Sequence, residues 1–324
     1  MSTKPHTVAV IDEFHANSLQ TIKDGLPADW TLRITDSQSQ SDIENAVSEA
    51  DILFVMGRGV SADLMSKAPG LKFIQKLGAG VDNIDAAACQ QRGIVLAKLQ
   101  GGNAVPVAEH TLLMTLATLR RLPALDRQTR DGQWVREQAR TVSRQLSGKT
   151  VGIIGFGAIG KAYAQLLLGF KAEVLYFDLV QADVQTCQQL NARFVDMDTL
   201  LKTADVVSLH VPLTDLTRHM IGQRELGLMK PSAILVNCAR GGVLDEQALY
   251  ESLQRGAIHG AGIDVFGVEP TRKDHPLFTL ENCVVTPHTA GGTVDNFENV
   301  VRKAVQNVQR LDNNEPFAPG DRVV

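Results

Sequence analysis

Short runs of apolar residues alternate along the chain with stretches in which apolar residues recur every three or four positions. In the first hundred residues the runs lie at 8–11, 51–56 and 73–77, and the helical patterns lie near 15–24, 41–48, 61–68 and 83–92. Short apolar runs bounded by turn residues predict buried strands, and the longer period predicts amphipathic helices. Strands that alternate with helices predict a parallel sheet covered by helices on both faces, so residues 1–99 should form an α/β unit.

The same alternation returns later in the chain, with strands predicted at 151–154, 174–177, 205–211, 233–237, 259–265 and 283–286. Between the two parts, Gly101-Gly102-Asn103 predicts a hinge, and residues 107–122 predict a long helix. This helix is too apolar for only one covered face, so we expect it to pack between domains or against a second subunit. We expect Glu109 and His110 to form an internal pair rather than to act in catalysis.

The segment from residue 151 to 178 has the order strand, glycine turn, helix, strand that is typical of a dinucleotide-binding unit. Its turn reads Gly155-Phe156-Gly157-Ala158-Ile159-Gly160, which is G-x-G-x-x-G spacing directly after a predicted strand. We expect Gly155 to permit the sharp turn, Gly157 to admit a pyrophosphate, and Gly160 to let the helix pack closely on the strand. The pyrophosphate would bind N–H groups at the helix N-terminus, where the helix dipole favours negative charge.

Asp178 follows the next predicted strand, eighteen residues after Gly160. A carboxylate at this place can accept hydrogen bonds from the ribose hydroxyls of NAD and repels the 2′-phosphate of NADP. Neither Leu179 nor Val180 offers a cation that would bind such a phosphate. The predicted cofactor is therefore NAD.

Composition narrows the classes of function. The chain has 324 residues, a formal net charge of −4 and a pI near 6.1, which give no general attraction to nucleic acid or to an anionic membrane. The N-terminus lacks a signal-peptide pattern, and no apolar run is long enough to span a bilayer, so we expect a soluble cytoplasmic protein. Four cysteines lie far apart, and the eight histidines form no H-E-x-x-H motif, so we expect reduced cysteines and no catalytic metal.

Three polar residues follow the ends of predicted strands at the edge where open α/β sheets bind ligands. Arg240 can bind a carboxylate or polarise a carbonyl through its fork of donors. His288 can give or take a proton, and Glu269 can hold the imidazole in one tautomer. With a nicotinamide to transfer hydride, these groups suffice for the reversible reduction of a 2-oxo acid to a 2-hydroxy acid.

A second pair of glycines lies in the first part of the chain, in the run Gly78-Ala79-Gly80 after the strand predicted at 73–77. Successive N–H groups there can form an anion-binding nest for the substrate carboxylate. The alternative is a turn before a helix, with Asp82 or Asn83 as its N-cap. We expect the nest, because a capped turn does not account for both glycines.

These motifs together resemble the D-isomer-specific 2-hydroxyacid dehydrogenase family. The resemblance rests on GFGAIG at 155–160, HVPLTDLTRHMIG at 210–222, MKPSAILVNCARGGVLDEQAL at 229–249, GAGIDVFGVEP at 260–270 and TPHTAGGT at 286–293, with KLGAGVDNID and NAVPVAEH upstream. It implies an α/β fold with two domains, in which a flavodoxin-like substrate domain, residues 1–99 and 291–324, accompanies an NAD-binding Rossmann domain, residues 100–290. It also implies catalysis in the cleft by Arg240, Glu269 and His288, and a homodimer. Gly267 departs from the acid that the family often has.

The residue patterns and the resemblance together give the full set of expected ligand-binding residues. On the cofactor side they are Gly155, Gly157, Ala158, Ile159, Gly160, Asp178, His210, Pro212, Thr217, Cys238, Ala239, Asp264 and Gly291. On the substrate side they are Arg58, Gly78, Ala79, Gly80, Arg240 and His288.

The substrate is expected to be a small 2-oxo or 2-hydroxy acid such as glycerate or glycolate. Arg58 and Lys76 could favour an extra phosphate or carboxylate, but an exposed, solvated position for either is an equal alternative, so 3-phosphoglycerate stays open. We expect no regulatory domain after the last predicted helix, at 295–311. A different class of function, an NAD(H)-sensing corepressor-like protein, also stays open, although the chain lacks the long disordered or basic segments that recruit partners.

Overall fold

The structure is a computed structural model that describes residues 4–35 and 37–324, and it divides into two compact units. The first unit combines the chain up to Asn103 with Gly292–Val324, and the second is Ala104–Gly291. These divisions lie four residues and one residue later than the sequence analysis placed them.

The first unit is built on a parallel sheet with strands and helices in strict alternation. Its elements up to residue 97 are β1 (Thr7–Val10), α1 (Ala16–Gly25), β2 (Thr31–Ile34), α2 (Gln40–Ser48), β3 (Ile52–Val55), α3 (Ala62–Ser66), β4 (Phe73–Lys76), α4 (Ala86–Arg92) and β5 (Val95–Ala97). The strand order is β2-β1-β3-β4-β5, with every pair parallel. This is the flavodoxin-like order, so the predicted fold of this unit is confirmed.

Two strands of this sheet were not predicted, and both lie at its edges. β2 has exposed and half-buried residues throughout, so it shows no continuous apolar run. β5 has only three residues, of which Leu96 and Ala97 are buried. The prediction depended on continuous apolar runs, and these two strands have none because one is partly exposed at the edge of the sheet and the other is very short.

The second unit begins with three helices and continues as a seven-stranded parallel sheet among its described residues. Its elements are α5 (Ala104–Arg120), α6 (Leu122–Arg130), α7 (Arg136–Val142), β6 (Thr150–Ile154), α8 (Ala158–Leu167), β7 (Glu173–Phe177), α9 (Val184–Gln189), β8 (Ala192–Phe194), α10 (Met197–Thr203), β9 (Val206–Leu209), α11 (Gln223–Leu228), β10 (Ile234–Asn237), α12 (Glu246–Gln254), β11 (Gly260–Ile263) and β12 (Cys283–Val285), with 3₁₀ turns at Leu168–Phe170, Gly241–Val243 and Pro276–Thr279. The strand order is β8-β7-β6-β9-β10-β11-β12. This is the Rossmann order extended by one strand, and the prediction is confirmed.

The long helix α5 packs against α8 and against the sheet of its own unit. It buries Val107, Met114 and Leu119 but leaves Leu113 54% exposed. The helix ends at Arg120, because Arg121 adopts a left-handed conformation with φ 52°, and α6 then starts with a proline in its first turn. The predicted helix at 107–122 thus ran two residues too far.

The chain returns to the first unit through its last helix, α13 (Val294–Asp312). α13 packs against α1 and β4 and buries Val300, Val301 and Val308. No helix within residues 4–35 and 37–324 has the length and apolarity that crossing a bilayer requires.

The end of α13 is joined to β1 through His6. Its Nδ1 lies 2.6 Å from Asp51 Oδ2, and its Nε2 lies 2.8 Å from Asp312 Oδ2. The His6 side chain is only 11% exposed and stands edge-on to the Trp30 ring, with 4.9 Å between the ring centroids. Burial alone would lower the pKa of His6, but the two carboxylates outweigh burial and raise the pKa.

Candidate active site

The glycine turn after β6 needs glycine at two of its three positions. Gly155 has φ 94°, and a Cβ there would lie 2.7 Å from the backbone of His210. A Cβ at Gly160 would lie 2.3 Å from the carbonyl oxygen of Gly155. The turn is therefore sharp, and α8 lies directly on it, as the spacing of the glycines predicts.

Gly157 differs from these two glycines because a Cβ there would have no atom within 4 Å. It is the N-cap of α8 and gives that helix no side-chain cap. Ala158 and Ile159 are the first two residues of α8, where the N–H groups have no partner inside the helix. Open space at an uncapped helix N-terminus fits a pyrophosphate.

Asp178 follows β7 and contacts this turn. Its Oδ2 accepts a hydrogen bond from the N–H of Phe156 at 2.6 Å, and its Oδ1 accepts one from Val180 at 3.3 Å. The residue is partly exposed. Leu179 and Val180 are 85% and 77% exposed and add no cation. The contact with Phe156, which the sequence did not reveal, fixes the carboxylate beside the turn.

The loop after β9 contains His210, Pro212 and Thr217. The N–H of His210 donates to Ile154 O at 2.7 Å, and its Nε2 lies 2.9 Å from Ser208 Oγ. Burial lowers the pKa of His210 to about 3, so the ring is neutral. Its buried Nδ1 has no hydrogen-bond partner within the described residues. The Thr217 hydroxyl donates to Pro212 O at 2.6 Å and closes the loop.

Arg240 lies in a loop that Asn237, the last residue of β10, holds at both ends. Asn237 Nδ2 donates to Arg240 O at 3.0 Å, and Asn237 Oδ1 accepts from Ala239 N–H at 3.0 Å. The guanidinium Nη1 of Arg240 donates to Ala239 O at 2.7 Å. Cys238 is buried, whereas Ala239 and Arg240 are partly exposed.

Glu269 and His288 form a direct pair. His288 Nδ1 lies 2.6 Å from Glu269 Oε2, and Glu269 Oε1 accepts from Phe266 N–H at 2.8 Å. Burial alone would raise the pKa of Glu269, but the contacts with His288 and Phe266 and the charge of Arg240 outweigh burial and lower it. The carboxylate is therefore charged, which places the imidazole proton on Nδ1 and leaves Nε2 for a ligand. The structure thus brings Glu269 and His288 into contact, and the charge of Arg240 acts on the same carboxylate.

Asp264, predicted to line the nicotinamide side, also holds the His288 loop. Its buried carboxylate accepts hydrogen bonds from Thr286 Oγ1 at 2.6 Å and from the N–H groups of Thr289 and Ala290 at 2.9 and 3.0 Å. Its backbone oxygen accepts from His288 N–H at 2.7 Å. These contacts fix His288 at φ 55°, a left-handed conformation that is uncommon for residues other than glycine. The predicted Gly291 follows this loop and ends the second unit.

His110, from α5, also contacts this cluster. Its Nε2 lies 3.1 Å from Thr286 Oγ1 and 3.4 Å from Asp264 Oδ1. Glu109 is exposed and makes no pair with His110 among the described residues. The predicted internal pair of Glu109 and His110 is therefore wrong, because neighbouring residues on a helix do not face each other.

His110, Cys238 and Asp264 have ligand atoms within 4.8 Å of one another, which is a possible arrangement for a metal ion. Burial, reinforced by the charge of Asp264, raises the pKa of Cys238 to about 12, so the thiol keeps its proton. Burial would raise the pKa of Asp264 as well, but its many hydrogen bonds outweigh burial and lower it. Those hydrogen bonds involve both oxygens of the carboxylate.

The substrate-side residues of the first unit lie in two loops. Gly78, Ala79 and Gly80 are partly exposed after β4, and α4 begins only at Ala86 with Asp85 as its N-cap. The suggested cap at Asp82 or Asn83 is therefore wrong.

The loop after β3 carries Arg58 and is clamped from both sides. Asp12 accepts hydrogen bonds from the N–H groups of Met56, Gly57 and Arg58 at 2.6 to 2.7 Å. Lys76 is only 7% exposed, and its Nζ donates to Met56 O and to Asn83 Oδ1. The Arg58 guanidinium donates to Gln38 Oε1. The proposed solvated position is wrong for Lys76, whose ammonium group holds the loop together.

Comparison with known proteins places these features in context. The family described as D-isomer specific 2-hydroxyacid dehydrogenase, NAD binding domain, matches residues 112–290. A hydroxypyruvate reductase of Thermotoga maritima is 37% identical over 268 residues, which is 82% of this chain and 86% of that protein. The solved structure of a D-lactate dehydrogenase from Aquifex aeolicus, complexed with NAD and lactic acid, has a TM-score of 0.85 at 30% identity and covers 98% of this chain and 99% of that one.

Longer relatives match as well. A D-3-phosphoglycerate dehydrogenase of Methanocaldococcus jannaschii is 36% identical over 288 residues, which is 88% of this chain but 53% of that protein. The chain thus spans about half the length of this relative and of a second phosphoglycerate dehydrogenase, from Archaeoglobus fulgidus, of which 49% is covered.

Proposed function

Because this chain belongs to the D-isomer specific 2-hydroxyacid dehydrogenase family, we propose that it is an NAD-dependent oxidoreductase that interconverts a small D-2-hydroxy acid and its 2-oxo acid. The observation that carries the proposal is the 2.6 Å contact between His288 and Glu269 in the unit that contains the glycine turn. Such a pair supplies an imidazole whose second nitrogen can exchange a proton with a carbonyl oxygen.

Three residues of the chain have separate roles in the proposed reaction. In the reducing direction the doubly protonated ring of His288 gives its Nε2 proton to the carbonyl oxygen and becomes neutral, while Glu269 accepts from Nδ1 and holds the ring in place. Arg240 binds the substrate carboxylate through its fork of donors. When bound, NADH would supply the hydride for the carbonyl carbon. The carbonyl group gains one hydride and one proton and becomes a hydroxyl-bearing carbon.

The fit of NAD rests on the open N-terminus of α8 at Gly157 and on Asp178 beside it. We assign the pyrophosphate to the N-terminus of α8 and the ribose hydroxyls to Asp178. The residues proposed for the nicotinamide side are those that follow β9, β10, β11 and β12, namely His210, Pro212, Thr217, Cys238, Ala239, Asp264 and Gly291.

The proposed substrate is a small acid of the glyoxylate or hydroxypyruvate type, with the carboxylate also bound by Gly78, Ala79 and Gly80. Two observations favour a small acid over 3-phosphoglycerate. The ammonium group of Lys76 is buried against the loop after β3, and the guanidinium of Arg58 donates to Gln38. A phosphate would have to compete with these partners. The Thermotoga hydroxypyruvate reductase is also matched over 86% of its length.

Steady-state oxidation of NADH with a panel of glyoxylate, hydroxypyruvate, pyruvate and 3-phosphohydroxypyruvate tests the proposal. We expect the highest kcat/KM with glyoxylate or hydroxypyruvate. Preference for the phosphorylated substrate would support the phosphoglycerate alternative. Binding of NADH without turnover of any 2-oxo acid would support the NAD(H)-sensing alternative instead.

We also propose a homodimer formed through the second unit. α6 and α7 have no buried residue, and the segment around them exposes Leu122 at 53% and Trp134 at 84%. Exposed apolar side chains on a helical extension favour association. Sedimentation of wild type and of Trp134→Ser checks this: the wild type should sediment as a dimer, and the variant should dissociate at higher concentration.

A further inference from the structure

A second carboxylate, that of Glu246, holds the turn that carries Glu269. Glu246 Oε1 accepts a hydrogen bond from Gly267 N–H at 2.6 Å. The preceding N–H, that of Phe266, donates to Glu269 Oε1 at 2.8 Å. Two successive N–H groups of one turn therefore bind two carboxylates, and one of these is the partner of His288. A movement that breaks the first contact also moves the donor of the second.

Glu246 is itself held by His275. Glu246 Oε2 lies 3.1 Å from His275 Nε2, and the two side chains are 24% and 16% exposed. The buried Nδ1 of His275 has no hydrogen-bond partner within the described residues. The proton of the neutral ring therefore belongs on Nε2, which donates it to Glu246.

The ring of His275 also covers the turn. Its centroid lies 5.3 Å from that of Phe266 in an edge-on arrangement and 5.2 Å from that of Phe278. Phe266 is the residue whose N–H binds Glu269. His275 therefore supports the turn twice, through the side chain of Phe266 and through Glu246.

The segment after Arg240 packs directly against the same turn. A Cβ at Gly241 would lie 1.9 Å from the carbonyl carbon of Phe266 and 2.3 Å from the nitrogen of Gly267. Glu246 follows this segment as the first residue of α12. The Arg240 segment and the Glu269 turn are therefore joined at two points, one by backbone contact and one by a carboxylate.

We propose that Glu246, held by His275, is a positioning residue that fixes the Glu269 turn relative to His288 and to the Arg240 segment. The proposal rests on the proposed function. Glu246 also lies in the first turn of a helix, where any negative charge is favourable. A favourable charge in the first turn of α12 does not require the hydrogen bond between Glu246 and Gly267, so the charge alone does not explain that contact.

The test compares Glu246→Ala with Glu246→Gln. In Glu246→Gln the amide oxygen can still accept from Gly267 N–H, but the amide NH₂ cannot accept from His275 Nε2, so this variant should lose less kcat than Glu246→Ala. Glu246→Ala should lower kcat by about tenfold to a hundredfold, as a small misplacement of catalytic groups does. The Kd for NADH should change little in both, because Glu246 does not contact the glycine turn. Glu251→Ala is the matched control, because it removes a carboxylate of the same helix that binds only Gln247 among the described residues.

A second variant, His275→Phe, keeps a ring beside Phe266 but removes the donor to Glu246. We expect it to lower kcat in the same direction as Glu246→Ala. The proposal is overturned when both variants are as active as Glu251→Ala. It is equally overturned when Glu246→Gln loses as much kcat and Tm as Glu246→Ala, because the helix charge would then account for both losses.

A wild type without turnover would count against the proposed function rather than against this proposal. Crystal structures of wild type and Glu246→Ala decide the proposal in that case. Loss of the 2.6 Å contact between Glu269 and His288 in the variant supports it, and an unchanged contact overturns it.

Discussion

Replacing Gly157 by alanine tests the cofactor site without disturbing the fold around it. The added methyl group would have no atom within 4 Å, and the φ of −77° is accessible to any residue. Alanine is a poorer N-cap than glycine, but it also restricts the unfolded chain, and these effects have opposite signs. We therefore expect the free energy of unfolding to change by less than about 1 kcal/mol. The change in Tm should be below about 4 °C.

The same methyl group should weaken NADH binding strongly. An N–H group approaches a phosphate oxygen to about 2.9 Å, whereas a methyl carbon keeps it at about 3.5 Å or more. A pyrophosphate displaced by that difference loses at least one charge-assisted hydrogen bond, about 1.5–3 kcal/mol. The Kd for NADH should therefore rise by about 10- to 150-fold.

The matched control is Gly160→Ala in the same turn. Its Cβ would lie 2.3 Å from the carbonyl oxygen of Gly155, so the backbone must move. Overpacking of this kind costs about 1–3 kcal/mol, and the loss should appear as a lower Tm. Titration of NADH by fluorescence and thermal unfolding of both variants separate the two effects. A Kd for Gly157→Ala within about twofold of wild type, an energy difference of about 0.4 kcal/mol, would refute the assignment of the pyrophosphate to this turn.

Three further predictions concern other residues. His288→Ala should lower kcat by at least about 10²- to 10⁴-fold with little change in NADH affinity, and a near-normal kcat would remove His288 from the acid/base role. Asp178→Ala should narrow the gap between the Kd values for NADH and NADPH, and an unchanged ratio would contradict its role in cofactor choice. For His6, burial lowers the pKa, but the contacts with Asp312 and Asp51 outweigh burial and raise the pKa above 6.5. The contribution of His6 to the stability of the folded protein is therefore complete below pH 6.5. It is lost as the pH rises through the pKa of His6 in the folded state. The difference in free energy of unfolding between wild type and His6→Gln should therefore shrink as the pH rises above 6.5, and a constant difference would contradict this.

The parts of the fold that sequence predicted are those with a strong local signal. Buried strands such as β3 and β10 are continuous apolar runs, and the glycine spacing at 155–160 identifies a turn because two of its glycines are sterically required. The edge strand β2 has no such run, because its residues face partly into solvent.

The contacts that support the site depend on the fold and not on local pattern. Glu246 reaches Gly267 across 21 positions, and no motif joins the two. Lys76 looked like a surface or substrate cation because only the folded loop brings the carbonyl of Met56 to its ammonium group. The placement of Arg240, Glu269 and His288 could be predicted because each follows a strand of one parallel sheet, and that topology brings strand ends to a common edge.

The return of α13 has a consequence for biosynthesis. The apolar side chains of Val8, Phe54 and Phe73 share one cluster with Val300 and Val308 of that helix. A chain emerging from the ribosome therefore completes its second unit while this face of the first sheet still lacks its cover. Domains usually fold in the order of synthesis, but here the unit that is made first can finish only when the last helix has been translated.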